Sequence, residues 1–375
     1  MADVSRMGEV AAKYKGLSVA VLGSHSALDV CQGAKSEGLP TIVLCEKGRE
    51  KTYSQYYKYD AKSKLGVVDE AIVLNKFADC AGEAVTKKLR EKSAIFIPHR
   101  SFCVYVGYDA IEKEFEVPIF GNRKLLRAEE RTAEKNQYYL LKQVGIRMPK
   151  QFSSPSQIDR LCLVKASEAK RSYERAFFFA SNADEWKSKG EELIAKGVIT
   201  REGLKSAVIE EFCLGAQYNF NFFYSPVDER LELMGTDMRR QTNLDGVLRL
   251  PAPQQIDVLK QLRVNNIEIG HVACTIKESM LEKVFEAGEK FVEACRKEYA
   301  PGIIGPFALQ GAVVPAEKGE EIVVFDVSFR VPGSPGTRFT PYTEYLHGKS
   351  ISVGKRIAME LKKAKAKKML GKVVT

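Results

Sequence analysis

The chain has 375 residues, 45% of them hydrophobic and 28% charged, the balance of a globular protein with two or three folded units rather than a disordered one. No apolar run approaches the ~20 residues a membrane-spanning helix needs, and the opening MADVSRMGEVAAKYKG lacks the apolar core of a secretory leader, so a cytoplasmic protein is expected. The net charge of +10 invites a nucleic-acid reading, but eight Lys or Arg against the single Glu360 fall within residues 351–375; one helix with solvated lysines accounts for the excess, and nucleic acid is not expected as a partner.

Over residues 1–125, short apolar runs alternate with polar periodic segments. LSVAVLG (17–23), TIVLC (41–45), AIVL (71–74) and SAIFIPH (93–99) read as buried parallel strands, with SALDVCQGAKSEG and GEAVTKKLREK as amphipathic helices between them. This repetition predicts a doubly wound parallel-sheet α/β domain. Residues 124–144 read as helical, and IRMPKQFSSP then interrupts the chain. LCLVKA (161–166), RAFFFAS (175–181), the helix DEWKSKGEELIAKG and the strand AVIEEFCLG (207–215) make a small α+β unit within 126–215. In 216–375, YNFNFFYSP and LELMGTDMRR alternate as strands, KESMLEKVFEAGEKFVEACRKEY is a long helix, and FALQGAVV and EIVVFDVSF form a hairpin before the basic C-terminal helix KRIAMELKKAKAKKML. The eight cysteines lie singly, without a C-x-x-C pair, which argues for free thiols rather than a zinc ribbon or redox motif.

Two of the four histidines, His25 and His99, follow predicted parallel strands. Strand carboxyl ends line the ligand crevice of an open α/β sheet, so both imidazoles should converge there with Ser24, Ser26 and Ser101. The GSHS turn opens a helix whose free N–H groups suit an anion, and it is not the G-x-G-x-x-G of a dinucleotide fold. Lys165 ends a strand, where its point charge suits a nucleotide phosphate, although an ordinary edge-strand lysine is the plainer reading. IEEFCLG can offer backbone groups to a purine edge, with Glu210 or Glu211 accepting from an amino or ribose group, or it can be a core strand. Gln310 and Asp326, on neighbouring strands, are hard oxygen donors of the kind that hold Mg²⁺ on a triphosphate. Arg330, four residues further on, is placed to reach a transferring phosphoryl group.

The order of these parts resembles the ATP-grasp ligases, here preceded by the parallel-sheet domain. Within them the chain resembles the archaeal family of 5-formaminoimidazole-4-carboxamide ribonucleotide (FAICAR) synthetases. The resemblance spans nearly the whole length and rests on LGSHSAL, IFIPHRSF, PIFGNRKLLRAEE, IEEFCLGAQYNFNFFYSP, GTDMRRQTNLDG, IGPFALQ and VFDVSFRVPGSPGTRFTPY. It implies an enzyme that joins formate to the amine of aminoimidazole carboxamide ribonucleotide (AICAR), with ATP and Mg²⁺ (or Mn²⁺), in a homo-oligomer. It also implies ribonucleotide contacts from His25, His99, Ser101 and His271. ATP contacts would come from Lys165, Glu210, Glu211, Phe212, Cys213 and Gln241, metal ligation from Gln310 and Asp326, and stabilisation of the transferred phosphoryl from Lys165 and Arg330. The chain departs from the family pattern at Arg100, where a glycine is expected, at Gln241 (an acidic residue), at His271 (an asparagine) and in the glycine-free turn ASEAKRSYERA (166–176). A ligase acting on another ribonucleotide and a nucleotide-binding protein without catalysis are the competing readings.

Overall fold

The computed structural model describes residues 4–130, 132–166, 176–261 and 267–375. Its first sheet contains β1 (Ser18–Leu22), β2 (Thr41–Glu46), β3 (Glu70–Leu74) and β4 (Ala94–Ile97), all parallel and ordered β3-β2-β1-β4. Every residue of β1 and of β4 is buried, because helices cover both faces of the sheet and no face is left for polar side chains. β1 and β4 are neighbours, so the turns that follow them open on the same edge.

The second sheet is antiparallel, with β5 (Gln151–Phe152), β6 (Cys162–Ala166), β7 (Ala176–Ala180) and β8 (Val208–Glu211) in the order β5-β8-β6-β7. The turn joining β6 to β7, the glycine-free segment, lies outside the described residues. The third sheet contains β9 (Ala216–Ser225), β10 (Arg230–Gln241), β11 (Glu268–Cys274), β12 (Gly305–Pro315) and β13 (Glu320–Ser328) in the antiparallel order β11-β10-β9-β12-β13. The helix Leu281–Glu298 packs on this sheet through Val284, Phe291 and Val292, which share a core with Phe222, Phe307 and Leu309.

Three expectations change. The stretch 124–144 is not one helix: Arg123–Glu129 is a 3₁₀ segment, and an α-helix starts only at Gln137, where the Asn136 side chain accepts from the Tyr138 and Tyr139 amides. β11 has no counterpart among the expected strands. The basic C-terminal helix, Val353–Ala366, joins the first sheet's core as well as the third's: Ile357, Ala358, Leu361 and Ala364 share one cluster with Val30, Cys31 and Ala34 and with Phe223 and Met234. Arg356 on that helix is buried, bonded through Nε and Nη2 to Glu232 and through Nη1 to Glu360. The lysines stay at the surface and meet Glu37 and Asp228.

Candidate active site

The site forms where the β1 and β4 ends of the first sheet meet the segment after β13 of the third. His99 and Val331 make an isolated parallel bridge across this junction. His25 sits in the turn after β1 at φ 51°, a left-handed conformation that turns its ring toward β4. There it stacks on His99, with ring centroids 5.3 Å apart.

The hydrogen bonds fix both tautomers. His99 Nδ1 accepts from the Ser101 amide at 3.2 Å, so Nε2 carries the proton and donates to the Leu22 carbonyl at 2.8 Å. Ser26 Oγ gives its proton to the Pro332 carbonyl at 2.8 Å, so it can only accept from His25 Nδ1, 3.0 Å away. The proton of neutral His25 is therefore on Nδ1, and Nε2 presents a lone pair. Burial pushes His99 down to about 4. His25 is shifted in the same direction, by desolvation first and then by His99, Arg330, His271 and Arg100, but its exposed surface moderates the shift.

His271, on β11, comes close to the same segment. The Cβ that Gly333 lacks would lie 3.1 Å from His25 Nε2 and 3.2 Å from His271 Nε2. Glycine is thus what lets the backbone at 333 come this close to both rings. His271 is cationic. Burial opposes its charge, but Nδ1 at 2.5 Å from Asp237 and Nε2 at 2.7 Å from Glu268 outweigh it and lift the pKa to about 9. Asp237 is fully buried, and it also accepts from Asn219 at 2.7 Å and Asn221 at 2.6 Å.

From His271 a chain of contacts leads across the third sheet. Glu268 pairs with Arg239 at 3.0 Å, Arg239 donates to the Gln310 side-chain oxygen, and Gln310 donates to Ser328 at 3.1 Å. Gln310 stands in register with Asp326 across β12 and β13. A shallow depression opens beside it, lined by Asn219, Arg239, Gln310 and Phe325 among others.

The remaining expected residues divide between the sheets. Lys165 and Glu210 form a buried ion pair within the second sheet, and the second carboxylate oxygen of Glu210 is buried without a hydrogen-bond partner. Glu211 turns to the other side of the strand, as alternation requires, and binds Arg147 at 3.3 Å and the Lys150 amide at 3.0 Å. Phe212 packs edge-on against Phe179. Cys213 packs against the apolar cluster of Ala312, Val314 and Val323. Gln241 ends β10 beside Glu268 of β11. Ser101 lies in the crevice and donates to Ser24 at 3.0 Å.

Two expected roles change with this geometry. His99 is fully buried and both its nitrogens are engaged by backbone, so it supports His25 from behind instead of touching a ligand. Arg330 is also buried. Its Nε lies 3.2 Å from Glu129 but makes no hydrogen bond, so its present neighbour is a carboxylate rather than open crevice. Glu129 also accepts from the Phe329 amide at 2.8 Å and lies 3.7 Å from Arg100.

Asp237, Glu268, Arg239 and Glu129 were not among the expected site residues. The signal for Asp237 is present in the sequence. Asn219 and Asn221 alternate with large aromatic residues on β9, which marks polar groups on a buried face that need a partner, and Asp237 is the register partner of Asn219.

Comparison with known proteins agrees with this architecture. Residues 185–375 match a family model described as a domain of unknown function (DUF1297), and residues 19–152 match a protein of unknown function (DUF1246). The 5-formaminoimidazole-4-carboxamide-1-(beta)-D-ribofuranosyl 5'-monophosphate synthetase of Methanopyrus kandleri is 40% identical over 98% of this chain and 98% of its own. The enzyme of that name from Methanocaldococcus jannaschii is 37% identical over 96% and 95%. This chain belongs to the FAICAR synthetase family. Among solved structures, an IMP biosynthesis protein PurP from Thermococcus kodakaraensis superposes with a TM-score of 0.71 at 28% identity, covering 95% of this chain and all of that one. An ADP complex of N5-carboxyaminoimidazole ribonucleotide synthetase superposes at 0.57 with 12% identity, covering 90% of this chain and 78% of that one. The family's ATP-grasp fold is thus present from end to end, with the parallel sheet in front as expected.

Proposed function

We propose that this chain joins formate to the exocyclic amine of AICAR, converting ATP to ADP and phosphate and giving FAICAR. The observation that carries the reading is the series of contacts from Gln310 through Arg239 and Glu268 to His271, which approaches the Gly333 backbone from β11 as His25 does from the turn after β1. A ligase of this kind must bring a triphosphate and an amine to one carboxylate. A residue series joining the strand expected to hold the nucleotide's metal to the crevice expected to hold the ribonucleotide supports such a meeting.

Formate is a poor acylating agent. Transfer of the terminal phosphoryl group of ATP to one formate oxygen gives formyl phosphate, whose phosphate then leaves as the amine attacks. In this reading Lys165 and the orphaned Glu210 oxygen hold ATP, the lysine on phosphate and the carboxylate oxygen on a donor of the base. The hard oxygens of Asp326 and Gln310 suit Mg²⁺ in type, and binding through Gln310 requires Arg239 to release its oxygen. Mg²⁺ there would offset phosphate charge. Arg330 and Arg100 share Glu129, and an arriving phosphate competes for both guanidiniums. The neutral face of His25, with Ser24 and Ser101, receives the ribonucleotide. Burial of this junction keeps water from the acyl phosphate.

Purified protein given ATP, Mg²⁺, formate and AICAR should release phosphate and FAICAR in equal amounts, and only when both substrates are present. Phosphate release unaffected by AICAR would reject the reading.

A further inference from the structure

We propose that Glu129 is a tethered competitor at a phosphate site. Its carboxylate occupies the place, between Arg330, Arg100 and the Phe329 amide, that a phosphate group takes when substrates are bound, and its return there drives that phosphate off. This rests on the function proposed above, which already gives the two guanidiniums to phosphate, and goes beyond it by naming the third donor and the group that controls release.

An anion already stands in this place. Glu129 Oε1 accepts from the Phe329 amide at 2.8 Å and lies 3.2 Å from Arg330 Nε, and Oε2 lies 3.7 Å from Arg100 Nη1. The donors come from separate parts of the chain: Arg100 opens the helix after β4, and Phe329 and Arg330 follow β13. Glu129 itself ends the 3₁₀ segment between the first two sheets.

The carboxylate fills the place poorly. Arg330 is buried, with 7% of its side chain exposed, yet its Nε makes no hydrogen bond. At 3.7 Å Arg100 is also beyond hydrogen-bond reach. A buried donor left unmet costs free energy. A carboxylate brings one charge on two oxygens, whereas a phosphoryl group brings nearly two charges on three acceptor oxygens, one for each donor. Arg330 also lines a small pocket with Pro98, Phe120, Ile304 and Val331, so its guanidinium borders open space.

Asp326 is close enough to act electrostatically on Arg100 as well. Because Asp326 is expected at the nucleotide's metal, the neighbourhood favours the phosphate group that comes from ATP over the 5′-phosphate of the ribonucleotide. The tether gives the competition its direction. Glu129 is fixed to the chain, so its effective concentration at the site does not fall when phosphate is scarce. A phosphate still joined to ATP or to the formyl carbon is held by the rest of its molecule and can keep Glu129 out. Once that bond breaks the phosphate is held by the three donors alone, and Glu129 displaces it.

The test is Glu129→Gln, in which the amide oxygen can still accept from Phe329 while the competing charge is gone. Calorimetry with inorganic phosphate should show an affinity at least about tenfold above that of the wild type, since a like charge is removed at contact distance. Damage to the fold would not produce such a gain. Unchanged or weaker phosphate binding overturns the proposal. Should Glu129→Gln fail to fold, Arg100→Gln reads the same site, because that side chain is 48% exposed. Phosphate affinity should then fall by at least about fivefold, and an unchanged affinity overturns the proposal. Added AICAR identifies the source: phosphate should bind Glu129→Gln equally well with AICAR present, whereas competition between them gives the site to the ribonucleotide's phosphate and overturns the release role. These measurements need no turnover, so a wild type that forms no FAICAR removes the function, and an active wild type with an indifferent Glu129→Gln removes only the competitor.

Discussion

His271 keeps its proton because two carboxylates hold it, and that has a consequence for stability. A pKa raised on folding, here to about 9, adds stability that is complete below the unfolded value of about 6.5 and is lost as pH rises through the folded value. Wild-type thermal stability should therefore decline between about pH 6.5 and 9, and His271→Gln, less stable at neutral pH, should lack that slope. Parallel pH curves for the two proteins would contradict the ion pairing. Lys165 is governed by the same logic. Removing it alone leaves Glu210 buried without its counter-charge, a cost of about 3–5 kcal/mol for a buried pair, so the informative variant is the double change Lys165→Met with Glu210→Leu. That protein should keep its fold and lose most of its ATP affinity by calorimetry, while AICAR affinity stays close to wild type; retained ATP affinity would remove the pair from the nucleotide site. Residues such as His25, Ser101 and Lys165 could be singled out in the sequence because each stands at the end of a strand. Glu268 could not, because its importance comes from contact with His271 within the same edge strand, and Asp237, 34 residues from His271, is signalled only indirectly through the buried asparagines of β9.

Among the elements, the parallel strands were the most legible, since a strand buried on both faces is a continuous apolar run. β11 was not. It is the edge of its sheet, and its side chains alternate only loosely between exposed and half-buried, with Ile269 outward. The segment 123–129 misleads for a different reason. Its leucines are buried by a 3₁₀ turn, and Arg123 inside it donates to the carbonyls of Ile111, Phe115, Val117 and Thr375, a tertiary use that periodicity does not reveal. The docking of the C-terminal helix is likewise tertiary. Gly33 and Gly354 let it touch the helix Ala27–Ser36 backbone to backbone: a Cβ on Gly33 would lie 2.1 Å from the Gly354 carbonyl carbon. Gly33→Ala must push the helices apart, at a cost of about 1–3 kcal/mol for overpacking or more, because the obstacle is backbone. Urea denaturation should show a lower midpoint, and an unchanged midpoint would mean that the contact is not held in solution.

At the scale of the whole molecule, the two ends of the chain fold into one core, and this fixes the junction where the first and third sheets meet. Arg356 ties the C-terminal helix to Glu232 of β10, His99 bridges to Val331, and Asp29 accepts from the Gly354 amide at 2.9 Å. The sequence order alone suggested separate units joined in series; the interleaving depends on contacts between residues more than 300 positions apart. Among the described residues no helix is long and apolar enough to cross a membrane, and no cluster of three or more His, Cys, Asp or Glu is arranged to hold a metal. A metal held by Gln310 and Asp326, as proposed above, would take its remaining oxygens from the nucleotide. The central claim is that an atom passes between the nucleotide side and the ribonucleotide side of this junction, and labelled formate tests it most directly. With both formate oxygens replaced by ¹⁸O, and ATP, Mg²⁺ and AICAR supplied, mass spectrometry of the released phosphate should find one ¹⁸O per molecule; phosphate that carries no label while FAICAR accumulates would contradict the account.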